Sequence, residues 1–369
     1  MNVPMTIVFA GGGTGGHLFP GLAIAEALQS KVPAARISFA GSRDKIEATV
    51  VPRHGYEFDP VWISGFRRRL SLSTFVFPLK VAVSLWQARG IIRRRRPDVV
   101  VGTGGYVSGP VVYMAARMGV PTLIQEQNEY PGVTTRLLAK RADEVHITFE
   151  ETRAHIADAR VVHVTGNPVR SSLRRLPAAE ARRVWGLDPD RPVLFVFGGS
   201  LGASSINTAV GGMLRSLGEN GVQVLWQTGA RDAQAARDAA AGSAHVVVRE
   251  FIHEMDAAYS AATLVLCRAG ATSLAELTVL GLPSVLVPYP HAAADHQRRN
   301  ARALENAGAA RVVEDGQAQT LGPVVLELLR DEETLRGMSA AAARLGRPDA
   351  ASRIADAVIR LAGARTGRR

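Results

Sequence analysis

A run of glycines that ends in a histidine, Gly11 to His17, is the stretch of this sequence best suited to chemistry. It follows a predicted strand, Met5–Ala10, and opens a predicted helix that runs through Leu28. Glycines let the backbone approach a ligand closely, and the first N–H groups of a helix point toward an anion. The helix dipole adds about half a positive charge there. The stretch is therefore predicted to bind phosphate.

His17 has two interpretations. An imidazole titrates near neutral pH, so beside a phosphate loop it can serve as a general base. Alternatively, it is a helix-start residue that bonds the backbone.

The glycines also contain G-x-G-x-x-G, a weak pattern for dinucleotide binding. That pattern expects an acid at the end of the second strand, but Arg36–Ala40 runs into Gly41-Ser42, which disfavours a nicotinamide cofactor.

A second cluster, Arg268 to Glu276, also follows a strand and opens a helix. Thr272 and Ser273 are candidate caps or phosphate ligands. Glu276 falls one turn into the helix, where a carboxylate can accept hydrogen bonds from a ribose diol. The alternative is an acid that the helix dipole favours near the N-terminus.

Polar residues elsewhere in the second half are weaker candidates. Asp295 is a predicted N-cap, and Gln297 is a candidate reader of sugar hydroxyls. Asp188-Pro-Asp190 resembles an Asp-x-Asp metal motif, but its position at a strand entry favours a turn. His291 and His296 have no metal-ligand spacing with an acid. The sequence predicts no metal and no cofactor.

Composition limits the class of protein. A chain of 369 residues favours two domains over one core. The single cysteine, Cys267, excludes a disulfide framework and is predicted to be a small buried hydrophobe. We find no secretory leader and no apolar run of spanning length, which leads us to expect a cytoplasmic protein.

The net charge of +11 calls for an anionic partner. Nine Lys or Arg residues lie between Val61 and Val100, against one acid, Asp98. A basic nucleic-acid-binding protein is disfavoured because aromatic residues make up only 6% of the chain and no nucleic-acid motif is present.

Strands alternate with helical stretches, which predicts an α/β fold with parallel sheets. Two further glycine loops, Gly102–Gly109 and Gly198–Gly202, follow strands, where open parallel sheets bind ligands. Gly166–Arg170 is a candidate domain boundary, Ala350–Ala362 a final helix, and Gly363–Arg369 a disordered tail. The predicted strands are Met5–Ala10, Arg36–Ala40, Phe58–Ile63, Asp98–Gly102, Pro121–Gln125, Glu144–Thr148 and Val161–Thr165, then Pro192–Phe197, Val222–Gln227, Ala244–Val248, Thr263–Cys267 and Ser284–Val287.

These motifs together resemble the bacterial peptidoglycan N-acetylglucosaminyltransferases that form lipid II. The resemblance runs in order along the chain, through Gly12–His17, Gly104–Gly109, Glu126–Asn128, Gly166–Arg170, Gly198–Ala203, Glu250–Ile252, Cys267–Gly270, Glu276 and Gly308-Ala309. It implies the GT-B fold, two Rossmann-like doubly wound parallel-sheet domains facing a cleft. The implied domains are 1–165 with a C-terminal helix at about 347–369, for acceptor and membrane, and 166–346 for UDP-GlcNAc.

The resemblance also implies an activity and residue roles. GlcNAc passes from UDP-GlcNAc to the C4 hydroxyl of MurNAc in undecaprenyl-diphospho-MurNAc-pentapeptide, with inversion and His17 as the general base. The implied donor residues are Thr14, Gly15, Gly16, Asn128, Arg170, Ser200, Ile252, Ala271, Thr272, Ser273, Leu274, Ala275, Glu276 and Gln297, with His296 as the alternative to Gln297. The implied acceptor-diphosphate residues are Gly13, Gly104, Gly105, Tyr106 and Ser108.

A peripheral location on the cytoplasmic face of the inner membrane follows from the lipid acceptor, with an anionic membrane surface and other cell-wall synthesis proteins as candidate partners. The predicted membrane contacts are Arg67, Arg68, Arg69, Phe75, Leu79, Lys80 and Trp86. The alternative is that Phe75 and Trp86 pack in the core while the arginines are solvated. Two GT-B rivals stay open, a glycosyl-diacylglycerol synthase and a UDP-GlcNAc 2-epimerase.

Overall fold

The structure, a computed structural model, describes residues 4–63 and 72–366, with the backbone alone at 72–76 and 366. The chain forms two compact units. The first is Met1–Ser171 together with Arg347–Arg369, and the second is Ser172–Gly346. The chain therefore leaves the first unit and returns to it at its end.

Short apolar runs form the strands, and longer stretches form the helices that cover them. The described strands are β1 (Thr6–Gly11), β2 (Arg36–Gly41), β3 (Glu57–Pro60), β4 (Val99–Gly104), β5 (Thr122–Glu126), β6 (Glu144–Ile147), β7 (Val162–Val164), β8 (Val193–Phe197), β9 (Gln223–Gln227), β10 (Val246–Arg249), β11 (Leu264–Cys267), β12 (Ser284–Leu286) and β13 (Ala310–Val312). The described α-helices are α1 (Gly15–Lys31), α2 (Glu47–Arg53), α3 (Leu72–Arg95), α4 (Gly105–Arg117), α5 (Val133–Leu138), α6 (Ala178–Val184), α7 (Ser204–Glu219), α8 (Ala233–Ala239), α9 (Met255–Ala261), α10 (Ala271–Val279), α11 (His296–Asn306), α12 (Leu321–Arg330), α13 (Glu332–Leu345) and α14 (Ala350–Thr366).

Each unit is built on one parallel sheet. Among the described residues, the first unit has the strand order β3-β2-β1-β4-β5-β6-β7 and the second β10-β9-β8-β11-β12-β13. Every recorded strand pair is parallel, as the alternation of strands and helices predicts. In both sheets the order reverses beside the first strand of the unit, which is where doubly wound folds bind ligands.

The last helix, α14, belongs to the core of the first unit. Ile354 and Val358 are fully buried in the cluster that contains Leu22 and Leu28 of α1. Lys31 Nζ at the end of α1 lies 2.6 Å from Asp356 Oδ1. Helix α14 continues to Thr366, so the prediction of a disordered tail is wrong for residues 363–366.

All the predicted strands form, with their ends shifted by a few residues; the third ends at Pro60 and not at Ile63. Strand β13 was missed because Ala310–Val312 is short and has a single β-branched residue. No helix in the described part of the chain is long and apolar enough to cross a membrane.

Candidate active site

The first glycine loop joins β1 to α1. Gly13 adopts a φ of +86°, which favours glycine. The first intrahelical hydrogen bonds run from the N–H groups of His17 and Leu18 to Thr14 O, each at 3.2 Å. The N–H groups of Gly15 and Gly16 precede these bonds, so this end of α1 has the donors that an anion needs.

His17 lies where the first and second glycine loops meet. Its Nδ1 is 3.2 Å from Thr14 Oγ1, and its carbonyl accepts a hydrogen bond of 2.8 Å from Thr103 Oγ1. A Cβ at Gly104 would lie 2.5 Å from His17 Cδ2. Glycine at 104 therefore lets the second loop close against the imidazole, which puts a titratable ring between two phosphate-type loops.

The second glycine loop joins β4 to α4 and packs against the first. Gly105 has a φ of +78°, and a Cβ there would lie 2.3 Å from Gly12 O. Tyr106 is half exposed, whereas Ser108 is buried and donates its hydroxyl to Gly105 O at 2.9 Å. The predicted loop 102–109 is shorter than expected, because α4 begins at Gly105.

A polar network behind these loops was missed by sequence reasoning. Gln127 Nε2 donates to Thr103 O at 2.7 Å. Buried Glu126 accepts hydrogen bonds from the backbone N–H and Nδ2 of Asn128 at 3.1 and 3.2 Å, and from Thr135 Oγ1 at 2.6 Å. The network holds Asn128, a predicted UDP-GlcNAc-binding residue, in the same unit as His17. Arg170 is partly buried at the end of this unit.

The second unit carries its own glycine loop between β8 and α7. Ser200 is exposed, and a Cβ at Gly202 would lie 1.9 Å from Thr228 O. Gln227 ties this loop to Ile252: its Nε2 donates to Gly199 O at 3.1 Å, and its Oε1 accepts from Ile252 N at 2.9 Å. The N–H of Ile252 is thus already held by the protein.

Helix α10 places the predicted phosphate and ribose residues. Leu274 is buried, so its side chain faces the core. Its N–H donates a hydrogen bond of 3.0 Å to Gly270 O. Ala275 lies next to it within the helix. Glu276 Oε2 accepts a hydrogen bond of 2.8 Å from the hydroxyl of Tyr259, a fully buried residue of α9. Tyr259 was missed because it lies 17 residues away in an apolar helix.

Arg268 links three segments of the second unit, a role that the sequence did not reveal. Its guanidinium lies 2.6 Å from Asp315 Oδ1 and donates to Ser205 Oγ at 2.9 Å and Pro288 O at 3.1 Å. Burial tends to raise the pKa of Asp315, but hydrogen bonds from Ser205 and Arg268 lower it overall. The network holds the start of α7, the loop after β12 and the segment after β13 against the end of β11.

The structure also places the other polar candidates of the second half. Gln297 Oε1 accepts from Tyr289 N at 2.9 Å, while His296 Nδ1 lies 2.7 Å from Ala293 O. Asp295 occupies the N-cap position of α11, but its side chain pairs with Arg298 at 2.9 Å and makes no cap bond, since its φ of +57° directs it elsewhere. Asp190 N donates to Asp188 Oδ1 at 2.9 Å, which is the predicted turn.

Helix α3 presents an exposed face with apolar residues followed by basic ones. Leu79 is 57% and Trp86 76% exposed, while Ala88 and Ile91 on the opposite face are buried. The alternative in which Trp86 packs into the core is therefore wrong. Lys80 Nζ lies 5.5 Å from the ring centroid of Trp62. Arg67, Arg68, Arg69 and the side chain of Phe75 lie outside the described residues.

Two basic residues at the end of α3 are neutralised by acids of β3. Arg94 Nη2 lies 2.6 Å from Asp59 Oδ1, and Arg95 Nε lies 2.9 Å from Asp59 Oδ2 and also pairs with Glu57. The hydrogen bond to Asp59 is the main cause that raises the pKa of Arg95. Because these acids precede Val61, the local charge count in the sequence overstated the basic surface.

Two Rossmann-like units, each with a phosphate-type loop after its first strand, form the architecture that two-domain glycosyltransferases have. The glycosyltransferase family 28 N-terminal domain matches residues 7–147, and the glycosyltransferase family 28 C-terminal domain matches residues 193–354. The chain belongs to glycosyltransferase family 28. It is 50% identical over 367 residues to the UDP-N-acetylglucosamine--N-acetylmuramyl-(pentapeptide) pyrophosphoryl-undecaprenol N-acetylglucosamine transferase of Chlorobaculum tepidum, across 97% of this chain and 99% of that protein.

Solved structures agree on the fold. The crystal structure of Acinetobacter baumannii MurG superposes with a TM-score of 0.76 at 28% identity, covering 97% of this chain and 100% of that one. A UDP-N-acetylglucosamine 2-epimerase superposes with a TM-score of 0.66 at 15% identity, covering 97% and 96%. At that identity the likeness concerns the fold alone. An epimerase activity, one of the two alternatives left open by the sequence, gains no support from it.

Proposed function

We propose that this enzyme transfers GlcNAc from UDP-GlcNAc to the C4 hydroxyl of MurNAc in undecaprenyl-diphospho-MurNAc-pentapeptide, with inversion, forming lipid II and UDP. The observation that carries the proposal is the 50% identity to a transferase named for this donor and acceptor, which extends over nearly the full length of both chains. If the chain were a glycosyl-diacylglycerol synthase or an epimerase, we would not expect 50% identity to this transferase along nearly its whole length.

The second unit binds the nucleotide in this proposal. The N-terminus of α10 and the loop at Ser200 offer N–H groups and hydroxyls to the diphosphate, and Glu276, oriented by Tyr259, accepts from the ribose hydroxyls. Because Gln227 already holds the N–H of Ile252, the carbonyl of Ile252 is the atom that meets the imide N–H of uracil. Gln297, held by Tyr289 N, is preferred over His296 for the GlcNAc hydroxyls.

The first unit binds the acceptor and removes its proton. The acceptor diphosphate binds the loops at Gly13 and at Gly104 to Tyr106, where two helices begin. His17 lies between these loops and takes the proton of the C4 hydroxyl as it attacks the anomeric carbon. The leaving UDP is stabilised by the helix N-terminus and its N–H groups, which are already oriented before the charge develops.

The exposed face of α3 contacts the membrane surface in this proposal, on the cytoplasmic face of the inner membrane. Leu79 and Trp86 supply apolar contact, and Arg89 and Arg93 supply charge one to two turns further along the helix. Arg67, Arg68, Arg69 and Phe75 stay part of the proposal from sequence alone. A lipid acceptor requires the enzyme to meet the bilayer, because its C55 chain leaves the membrane only at high cost.

The test is to incubate the purified enzyme with UDP-GlcNAc and a lipid I analogue and to look for the disaccharide product by mass spectrometry. We expect a β-linked disaccharide and stoichiometric UDP. Parallel reactions with diacylglycerol and with UDP-GlcNAc alone test the two rivals. Product from diacylglycerol, or UDP-ManNAc without an acceptor, in place of the disaccharide would overturn the proposal.

A further inference from the structure

Three metal-binding side chains meet on one face of the first unit's sheet, at β6 and the edge strand β7. Glu144 and His146 are two residues apart in β6, so they point to the same face. His163 of β7 is the register partner of His146. The glycine loops follow the carboxyl ends of β1 and β4, whereas Glu144 opens β6 at its amino end. This cluster is therefore separate from the proposed active site.

The spacing of the three side chains fits a tetrahedral metal. Glu144 Oε2 lies 3.2 Å from His146 Nε2 and 3.5 Å from His163 Nε2. One ligand atom from each residue lies within 4.8 Å of those of the other two. Zinc bonds of about 2.0–2.1 Å in a tetrahedron place neighbouring ligand atoms roughly 3.3–3.4 Å apart. The two distances from Glu144 Oε2 fall on either side of that value.

The two cluster residues of β6 are shielded from water, since Glu144 is 7% and His146 2% exposed. A neutral imidazole and an ionised carboxylate are the forms in which these side chains bind a metal. Within the described residues, buried His146 Nδ1 has no hydrogen-bond partner.

Arg360 of α14 holds the carboxylate from the other side. Its Nη2 lies 2.8 Å from Glu144 Oε1 and 2.9 Å from Oε2. An arginine in this position orients a ligating carboxylate, and its charge also weakens the attraction of a cation. The side chain of His163 is 42% exposed, so solvent reaches the cluster and can complete the coordination.

We propose that Glu144, His146 and His163 form a binding site for a divalent transition metal, zinc above all, with water as the fourth ligand. Two imidazoles and one carboxylate are a donor set that zinc accepts and that magnesium and calcium do not favour. The bound ion joins β6 to β7 and, through Glu144 and Arg360, to the last helix. The competing explanation is a carboxylate held by an arginine and two histidines without any ion.

The experiment measures metal binding directly and does not depend on transferase activity. The protein is stripped with a chelator, dialysed against Zn²⁺ and analysed for bound metal, and Co²⁺ is titrated while its visible absorption is recorded. We expect one equivalent of Zn²⁺ that competes with Co²⁺. Two variants are compared, His163→Gln, which removes an accessible ligand, and His54→Gln, whose Nδ1 lies 3.5 Å from Glu26 Oε1 outside the cluster.

We expect His163→Gln to weaken Zn²⁺ binding by tenfold or more and His54→Gln to leave it unchanged. Circular dichroism confirms that both variants fold. If His163→Gln does not fold, the Co²⁺ spectrum of the parent decides, since intense visible bands indicate a four-coordinate site with nitrogen ligands. A parent that retains no metal, or an equal affinity in parent and His163→Gln, would show that the cluster is an ion pair alone.

Discussion

The carboxylate of Glu47 accepts the backbone N–H of Gly13 at 2.9 Å, 34 residues earlier in the sequence. Its other oxygen accepts the N–H of Ser42 at 2.9 Å, and the residue is fully buried. A Cβ at Gly12 would lie 2.3 Å from this carboxylate. The first residue of α2 therefore sets the shape of the loop that precedes His17.

We predict that Glu47→Ala destabilises the first unit and slows transfer. Hydrogen bonds to a charged group contribute about 1.5–3 kcal/mol, and the lost carboxylate leaves the N–H groups of Gly13 and of buried Ser42 without this partner. A displaced loop should lower kcat/KM by about 10²-fold. Urea unfolding and steady-state kinetics measure the two effects. Glu26→Ala, which removes an accessible acid of the same unit, should change neither; full activity in Glu47→Ala would mean that the loop holds its shape alone.

We predict that His17→Ala lowers kcat by about 10²- to 10⁴-fold, the usual contribution of a general base. UDP binding, measured by calorimetry, should change little, because the residues proposed to hold the diphosphate and the ribose, at Ser200 and on α10, lie in the second unit. His155→Ala, a histidine of the same unit outside the glycine loops, serves as the control. Turnover within a few fold of the parent would reduce His17 to a helix-start residue.

We predict that Glu276→Ala weakens UDP-GlcNAc binding by about tenfold or more, because the ribose hydroxyls lose a charged acceptor. Tyr259→Phe removes only the hydroxyl that donates to Glu276 and should weaken binding by a few fold. Calorimetric titration with UDP-GlcNAc distinguishes these two losses of affinity. The control is Glu219→Ala, which removes an exposed acid at the end of α7. Unchanged donor affinity in Glu276→Ala would remove this residue from the site.

The sequence predicted the residues that lie on the loops better than the residues that support them. The loops at Gly11, Gly102 and Gly198 are visible because a strand, glycines and a helix start leave a local pattern. Glu47, Gln227 and Tyr259 leave none, because each acts on a backbone or side-chain atom far away in the sequence. Their roles become visible only when the sheet order brings the segments together.

Charge and metal spacing were harder to read for the same reason. The pairing of Arg94 and Arg95 with Asp59 depends on α3 packing against β3. Glu144 and His146 have the spacing of a strand face, but His163 joins them only through the register of β6 with β7. A linear motif search has no access to that register.

We predict that the exposed face of α3 binds anionic liposomes. Leu79→Ser with Trp86→Ser should lower binding by tenfold or more, since burying one large apolar side chain contributes about 1.5–3 kcal/mol. Arg67, Arg68 and Arg69 changed to Ser, with Phe75→Ser, should also lower it, and high salt should release the parent. Sedimentation measures binding, and activity on a short-chain soluble acceptor should persist.

The control for the liposome experiment is Leu137→Ser. Leu137 is 65% exposed in the same unit, compared with 57% for Leu79, but lies on α5. Equal sedimentation of the α3 variants and the parent would place the membrane contact elsewhere.

We predict a small acid-sensitive contribution from Asp232 to stability. Ser204 Oγ at 2.6 Å and Asn207 Nδ2 at 2.8 Å donate to its carboxylate and lower its pKa below the ordinary 3.8. A lowered pKa stabilises the folded state above pH 3.8, and this is lost as pH falls through the folded value. Asp232→Asn should cost less than about 1 kcal/mol at pH 7, and its urea midpoint should approach the parent's as the pH falls through the folded pKa of Asp232. Asp158→Asn is the control. A difference in urea midpoint between Asp232→Asn and the parent that persists in acid, or an equally large difference for Asp158→Asn, would contradict this prediction.

The return of α14 to the first unit reverses the usual order of folding during synthesis. Domains generally fold as they leave the ribosome, the N-terminal one first. Here residues 172–346 emerge complete while the first sheet still lacks the helix that covers Leu22 and Leu28. The unit that is translated first is therefore the last to be finished, and a nascent chain halted before Ala350 would expose that apolar surface to chaperones.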